Sequence, residues 1–141
     1  MTTFYLLDTC VVSEFVKPKP DKRVLDWLNA IDADCFFLSV VTIGEIERGI
    51  ASLPASNRRT ALEAWLRDDL SAQFAGRILP LDHETFITWG QMMARLKMRG
   101  RPMSVMDSLI AASVAHHKMV LATRNVSDFE NAGLSLFNPW E

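Results

Sequence analysis

The sequence has few cysteines, no long apolar segment and no excess of positive charge. Its two cysteines, Cys10 and Cys35, have a spacing that fits neither a CxxC redox pair nor a zinc site. Both lie in apolar stretches, so we expect free buried thiols in a reducing compartment, with a disulfide between them as the open alternative. The formal net charge is -2, from 15 basic and 17 acidic residues. Without a global positive field, any nucleic-acid site must come from a local basic patch or a bound cation.

No stretch is long enough to span a membrane, and the N-terminal MTTFYLLD has no basic region typical of a signal peptide. We therefore expect a cytoplasmic protein without membrane contact. The 141 residues fit one domain over 1–141, and a hydrophobic fraction of 49% with 23% charged residues is typical of a globular protein.

Short apolar runs alternate with amphipathic stretches along the chain. The runs predict strands at 4–7, 35–40, 78–81, 120–123 and 134–137. The stretches predict a short helix capped by Thr9, a helix that begins at Asp21 and a helix capped by Thr42 in a capping box with Glu45. They also predict helices over 55–74, around 86–96 and after the cap Ser104, and a helical turn over 127–131. This alternation predicts an α/β fold with a mostly parallel central sheet and helices on both faces.

Four acids are placed where the strands of such a sheet end. Asp8 directly follows the first strand, Glu45 and Asp107 lie in first turns of predicted helices, and Asp128 follows the fourth strand. In a parallel sheet these positions share one edge. Because clustered carboxylates repel one another, a hard divalent cation such as Mg²⁺ is what stabilises them, and two such ions suit an in-line phosphoryl displacement. Helix capping and the helix dipole are enough to explain why an acid stands at position 45 or 107, whereas neither explains the acid at position 8.

Four motifs follow one another in the order of a known family. They are Leu-Leu-Asp-Thr at 6–9, Ser-Val-Val-Thr-Ile-Gly-Glu-Ile at 39–46, Met-Asp-Ser-Leu-Ile-Ala-Ala at 106–112 and Thr-Arg-Asn-Val-Ser-Asp-Phe at 123–129. Each is weak alone, but the four together resemble PIN-domain proteins of the VapC/FitB toxin type over nearly the whole chain. The resemblance implies a single PIN-like domain with a three-layer α/β/α fold. It also implies a Mg²⁺-dependent endoribonuclease, the toxin of a type II toxin–antitoxin system.

The resemblance also assigns roles to particular residues. Asp8, Glu45 and Asp107 would be the catalytic ligands of Mg²⁺, with Mn²⁺ as a possible substitute. Many relatives carry a fourth acid where this chain has Asn125, and the fourth acid here would be Asp128. Asp128 would bind the metal directly or through water, or would only cap the turn. Thr9, Thr123 and Asn125 would orient the ligands. The nucleophile would be water, without a covalent intermediate. The implied partners are a cognate VapB-like antitoxin, an RNA substrate and a second copy of the chain, with a higher assembly on operator DNA.

Two groups outside the acids have more than one interpretation. The basic run Arg95, Lys97, Arg99 and Arg101 could hold an RNA backbone, or could be a solvated helix end whose cations suit the helix dipole. The methionines and tryptophans lie mostly on apolar stripes, which indicate core or part of a dimer or antitoxin surface, and Phe86, Trp89 and Met93 are the preferred candidates for a dimer surface.

Two other functions compete with the nuclease. An Asp-nucleophile phosphatase would need a second Asp two residues after Asp8, where this chain has Cys10. A PIN-like module that binds nucleic acid or protein without cleaving is the alternative from another class.

Overall fold

In a computed structural model that describes all 141 residues, five short strands form one sheet in which every pairing is parallel. The strands are β1 (Tyr5–Leu7), β2 (Phe36–Ser39), β3 (Ile78–Leu79), β4 (Val120–Ala122) and β5 (Ser135–Phe137). Their order across the sheet is β3-β2-β1-β4-β5. β1 lies at the centre and ends at Asp8, so that acid lies in the middle of the carboxyl edge, where parallel sheets bind ligands.

Helices connect the strands. They are α1 (Thr9–Ser13), α2 (Lys22–Ala30), α3 (Val40–Ala51), α4 (Asn57–Ala64), α5 (Ser71–Gln73), α6 (His83–Met98), α7 (Val105–His117) and α8 (Val126–Phe129). A π-helical segment, Trp65–Leu70, joins α4 to α5, and 3₁₀ turns cover Glu14–Val16, Ala33–Cys35 and Glu130–Ala132. None of the helices is both long and apolar enough to cross a membrane.

The sheet separates two apolar clusters, which makes the fold a three-layer α/β/α sandwich. On one face Leu7 packs with residues of α1, α2, α3 and the π-helical segment. On the other face Leu6 packs with residues of α6 and α7, among them Met92 and Ile110. Leu6 and Leu7 are both fully buried on opposite faces because successive side chains of a strand alternate in direction.

Two predicted N-cap residues are wrong, and both errors concern the acids. Asp8, not Thr9, is the N-cap of α1: its Oδ1 accepts from the Thr9 backbone N–H at 2.9 Å. The N-cap of α3 is Ser39, whose Oγ accepts from the Val41 N–H at 3.0 Å. The Thr42–Glu45 capping box therefore does not exist, and Glu45 lies in the second turn of α3. A Ser directly at the end of a strand caps more readily than a Thr that is already helical.

Other elements agree with the sequence more closely. Ser104 caps α7 as predicted, through a hydrogen bond from the Asp107 N–H to Ser104 Oγ at 3.3 Å. The predicted 55–74 helix begins later, after the N-cap Ser56, and is interrupted by its π-helical segment. The strands are shorter than the apolar runs that predict them, because only part of each run pairs with a neighbouring strand.

Candidate active site

Asp8 is the centre of the candidate site. It is 6% exposed and lies where β1 passes into α1. Burial raises the pKa of its carboxyl; the hydrogen bonds from Thr123 and Thr9 lower it, and the charges of Glu45 and Asp107 raise it again. The net effect is a raised pKa. A cation at this position would therefore stabilise the charged form.

Glu45 is joined to Asp8 through Thr9. The Thr9 hydroxyl donates to Glu45 Oε1 at 2.8 Å, while the Thr9 N–H donates to Asp8 Oδ1. Thr42, 1% exposed, brings its Oγ1 to 3.4 Å from Thr9 Oγ1. One threonine thus donates hydrogen bonds to both carboxylates.

Thr123 holds the other oxygen of Asp8. It is fully buried at the end of β4, and its hydroxyl donates to Asp8 Oδ2 at 2.8 Å across 115 residues of sequence. Asn125 acts through its backbone: its N–H donates to Thr123 Oγ1 at 3.0 Å, while its side chain is exposed and makes no cap hydrogen bond. Thr123 thus contacts Asp8 through its hydroxyl, and Asn125 contacts Thr123 through its main chain alone.

Asp107 enters the site from the opposite layer. It lies half-buried in the first turn of α7, close enough for its charge to raise the pKa of Asp8. The next residue, Ser108, is fully buried and its Oγ accepts from Trp89 Nε1 at 2.9 Å, so α6 braces this turn of α7.

Asp8, Glu45 and Asp107 have no cationic side chain to neutralise them. None of the three forms an ion pair with lysine or arginine. No three His, Cys, Asp or Glu side chains in the protein stand close enough together to hold a metal ion unaided. The donors are all carboxylate oxygens, which fits Mg²⁺, because that ion typically takes one or two protein carboxylates and completes its octahedron with water and phosphate.

Asp128 does not join this group. It lies exposed in the first turn of α8, and its side chain makes no hydrogen bond, so it does not cap the turn. Its backbone N–H donates to the Asn125 carbonyl at 3.0 Å. The hydrogen bonds and charge effects that link Asp8 to Glu45 and Asp107 do not extend to Asp128.

Cys10 is a site residue that sequence reasoning missed. Its Sγ lies 3.9 Å from Asp8 Oδ2 and 3.8 Å from Thr123 Oγ1, and the Arg124 N–H donates to it at 3.5 Å. Burial raises the pKa of this thiol. The sequence does contain a signal for this role, because Cys10 stands two residues after Asp8, in the first turn of α1. Both Cys10 and Cys35 are free as expected, but they are half-buried and not, as expected, fully buried.

The basic run stays outside the hydrogen-bonded group. Arg95 and Lys97 lie in the last turn of α6, and Arg99 is its C-cap. These residues and Arg101 are exposed and form no ion pair. Arg48, three residues after Glu45 on α3, forms no ion pair either.

The chain is similar to proteins that are already characterised. The PIN domain family model matches residues 5–133. The VapC ribonuclease Y4jK of Sinorhizobium fredii is 39% identical over 136 residues, which cover 96% of this chain and 97% of that protein. Toxin FitB of Neisseria gonorrhoeae is 35% identical, with 96% and 97% covered.

A solved structure agrees with these relatives. The structure of FitAB bound to the IR36 DNA fragment superposes with a TM-score of 0.92 at 34% identity, covering 98% of this chain and 96% of the other. The central parallel sheet, the acids at its carboxyl edge and these similarities have one explanation: the chain belongs to the PIN-domain family, among the toxins of the VapC and FitB type.

Proposed function

We propose that this protein is the toxin of a type II toxin–antitoxin pair and that it hydrolyses RNA with the help of a divalent metal ion. The supporting observation is the environment of Asp8. Its buried carboxylate accepts hydrogen bonds from Thr9 and Thr123. Two further acids, Glu45 and Asp107, lie near it, and none of the three acids has a basic partner. In the absence of a cation that arrangement is electrostatically unfavourable for Asp8, because burial and the charges of Glu45 and Asp107 raise the pKa of its carboxyl.

Asp8, Glu45 and Asp107 would hold the ion, Mg²⁺ or in its place Mn²⁺. Once bound, the ion supplies a water nucleophile near neutral pH and neutralises charge on the scissile phosphate. Thr9 fixes the oxygens of Asp8 and Glu45, and Thr123 fixes the second oxygen of Asp8, so the carboxylates do not have to reorganise during the reaction. Asp128 lies outside the hydrogen-bonded group and is in our proposal an outer acid that acts through water.

The experiment is a cleavage assay with purified protein, total RNA and Mg²⁺, using Asp8→Asn and Asp107→Asn as the inactive variants. Asp26→Asn, an exposed acid on α2 that pairs with Lys22, is the matched control. We expect cleavage by the wild type and the control only, abolished by a chelator and restored by Mn²⁺. RNA binding by the wild type with no cleavage under any metal would instead favour the non-cleaving PIN-like module.

A second proposal concerns the antitoxin. A cavity of about 290 Å³ begins at Thr9 and Glu45 and extends to Trp65. A second cavity of about 440 Å³ continues from Trp65 between α2 and Phe74 with a mostly apolar lining. We propose that a segment of a VapB-like antitoxin lies in this groove, because an occupant anchored at the apolar end would reach Glu45 and block the acids. The dimer and the assembly on operator DNA are proposed by analogy with FitAB bound to DNA.

Co-expression tests the groove. Leu25→Glu in the apolar part and Arg58→Glu near the acids alter its lining, whereas Lys22→Glu changes a residue 87% exposed elsewhere. We expect growth arrest that the neighbouring antitoxin gene relieves for the wild type and for Lys22→Glu, but not for the two groove variants. Full relief in all variants would place the antitoxin on another surface.

A further inference from the structure

Arg124 is fixed next to the acids by its main chain. Thr123, directly before it, donates to Asp8 Oδ2 at 2.8 Å. The Arg124 N–H itself donates to Cys10 Sγ at 3.5 Å, and Cys10 in turn lies against Asp8. The backbone of Arg124 therefore belongs to the hydrogen-bonded group that holds the central carboxylate of the site.

The side chain of Arg124 rests on an aromatic ring. Its Cζ lies 5.3 Å from the centroid of Trp140, which is 5% exposed and packs into the core cluster on one face of the sheet. A guanidinium stacked on indole is attracted by the ring face and keeps its N–H donors, which point outward in the guanidinium plane, free for other partners. The residue as a whole is exposed and forms no ion pair with a carboxylate.

Several other arginines are already engaged. Arg23, Arg59 and Arg67 pair with Asp21, Glu63 and Glu47, and Arg77 donates to three backbone carbonyls, those of Ala33, Phe36 and Gln73. Arg124 combines a free guanidinium, a rigid platform and a main-chain link to Asp8. In a protein whose net charge is -2, a local cation of this kind is what an anionic substrate needs at an acidic site.

We propose that Arg124 binds a backbone phosphate of the RNA next to the phosphate that is cleaved, and that Trp140 holds the guanidinium in position for it. This inference rests on the proposed ribonuclease function. The planar fork of arginine matches two phosphate oxygens at once, which a lysine ammonium cannot do. Trp140 is thus a positioning residue, and Arg124 is the one that contacts the substrate.

The test compares Arg124→Ala, Arg124→Lys and Trp140→Leu with Arg67→Ala, an exposed arginine on the π-helical segment, as the matched control. With a single-stranded RNA transcript as substrate, we expect Arg124→Ala to raise KM about tenfold and to change kcat little. The slope of log(kcat/KM) against log[salt] should become shallower by about 0.7, the loss of one phosphate contact. Arg124→Lys and Trp140→Leu should give intermediate KM values, and Arg67→Ala should match the wild type.

A binding measurement separates this inference from the ribonuclease proposal. Fluorescence anisotropy with a short labelled single-stranded RNA is done in the Asp8→Asn background, with and without Arg124→Ala. Weaker binding with a shallower salt dependence supports the role of Arg124 even if the wild type proves unable to cleave. A lower melting temperature of Arg124→Ala with unchanged KM, unchanged RNA affinity and unchanged salt slope would show that Arg124 only secures Trp140, and would overturn the inference.

Discussion

At the scale of single residues, two opposing effects act on the ionisation of Asp8. Its burial disfavours the charged carboxylate, whereas its hydrogen bonds from Thr9 and Thr123 favour it. The neighbouring charges of Glu45 and Asp107 add to the burial, and the pKa is raised. In the metal-free protein the charged carboxylate of Asp8 is therefore destabilising at the carboxyl edge of the sheet.

Replacement of Asp8 by asparagine should remove this unfavourable charge from the metal-free protein. The amide has the same shape without the charge, and the Thr123 hydroxyl can rotate to accept from it. We expect Asp8→Asn to melt in EDTA at the same temperature as the wild type or higher, by differential scanning fluorimetry. Asp8→Ala is the control and should melt lower, because it leaves the Thr9 N–H and Thr123 hydroxyl without their acceptor. A clear loss of stability in Asp8→Asn would contradict this electrostatic account.

At the scale of elements, the connection between α1 and α2 depends on one buried acid. Glu14 is 2% exposed, forms an ion pair with Lys17 and accepts from the Asp21 N–H at 2.9 Å. Burial alone would raise the pKa of its carboxyl, but these partners outweigh it and the pKa lies below the ordinary 4.5. Since Lys17 also lines the groove beside Thr9, Glu14 fixes one wall of that groove.

The lowered pKa of Glu14 has a defined consequence for stability. A carboxyl whose pKa is lower in the folded state contributes stability above its unfolded pKa and loses it as the pH falls through the folded value. We expect Glu14→Gln to have a lower free energy of unfolding than the wild type at pH 7, and the difference to shrink below about pH 4.5. Urea unfolding across this range, with the exposed Glu130→Gln as control, measures it. A difference independent of pH would mean that shape, not charge, makes Glu14 important.

The helix N-caps show where local sequence patterns are enough to predict the start of an element and where they are not. Ser104 was predictable as a cap because a serine before an apolar helical stretch is a strong local signal. The capping box at Thr42 and Glu45 fits the same kind of rule, yet Ser39 begins the helix three residues earlier. Here the sheet decides: Ser39 is the last residue of β2, and its pairing with Leu79 fixes where the strand ends and the helix begins.

At the scale of the whole molecule, a ligand that binds the folded state alone stabilises the entire chain. If the acids hold Mg²⁺, the free energy of unfolding should rise by about 2.7 kcal/mol at a metal concentration of 100 Kd. We expect the melting temperature of the wild type to increase with Mg²⁺ and Mn²⁺, that of Asp26→Asn to follow it, and that of Asp8→Asn to stay constant. An equal response of Asp8→Asn would mean that the ion binds elsewhere.

The sequence by itself determined the order of strands and helices, the parallel sheet and the placement of Asp8 at a strand end, because these follow from apolar patterns within short windows. Only the tertiary structure decided which acids meet. It joins Asp8 to Thr123 across 115 residues and Thr9 to Glu45 across 36, places Asp107 nearby and leaves Asp128 outside. The physical reason is that hydrogen bonds tolerate errors of only a few tenths of an ångström, and the packing of distant elements, not local periodicity, fixes positions that finely.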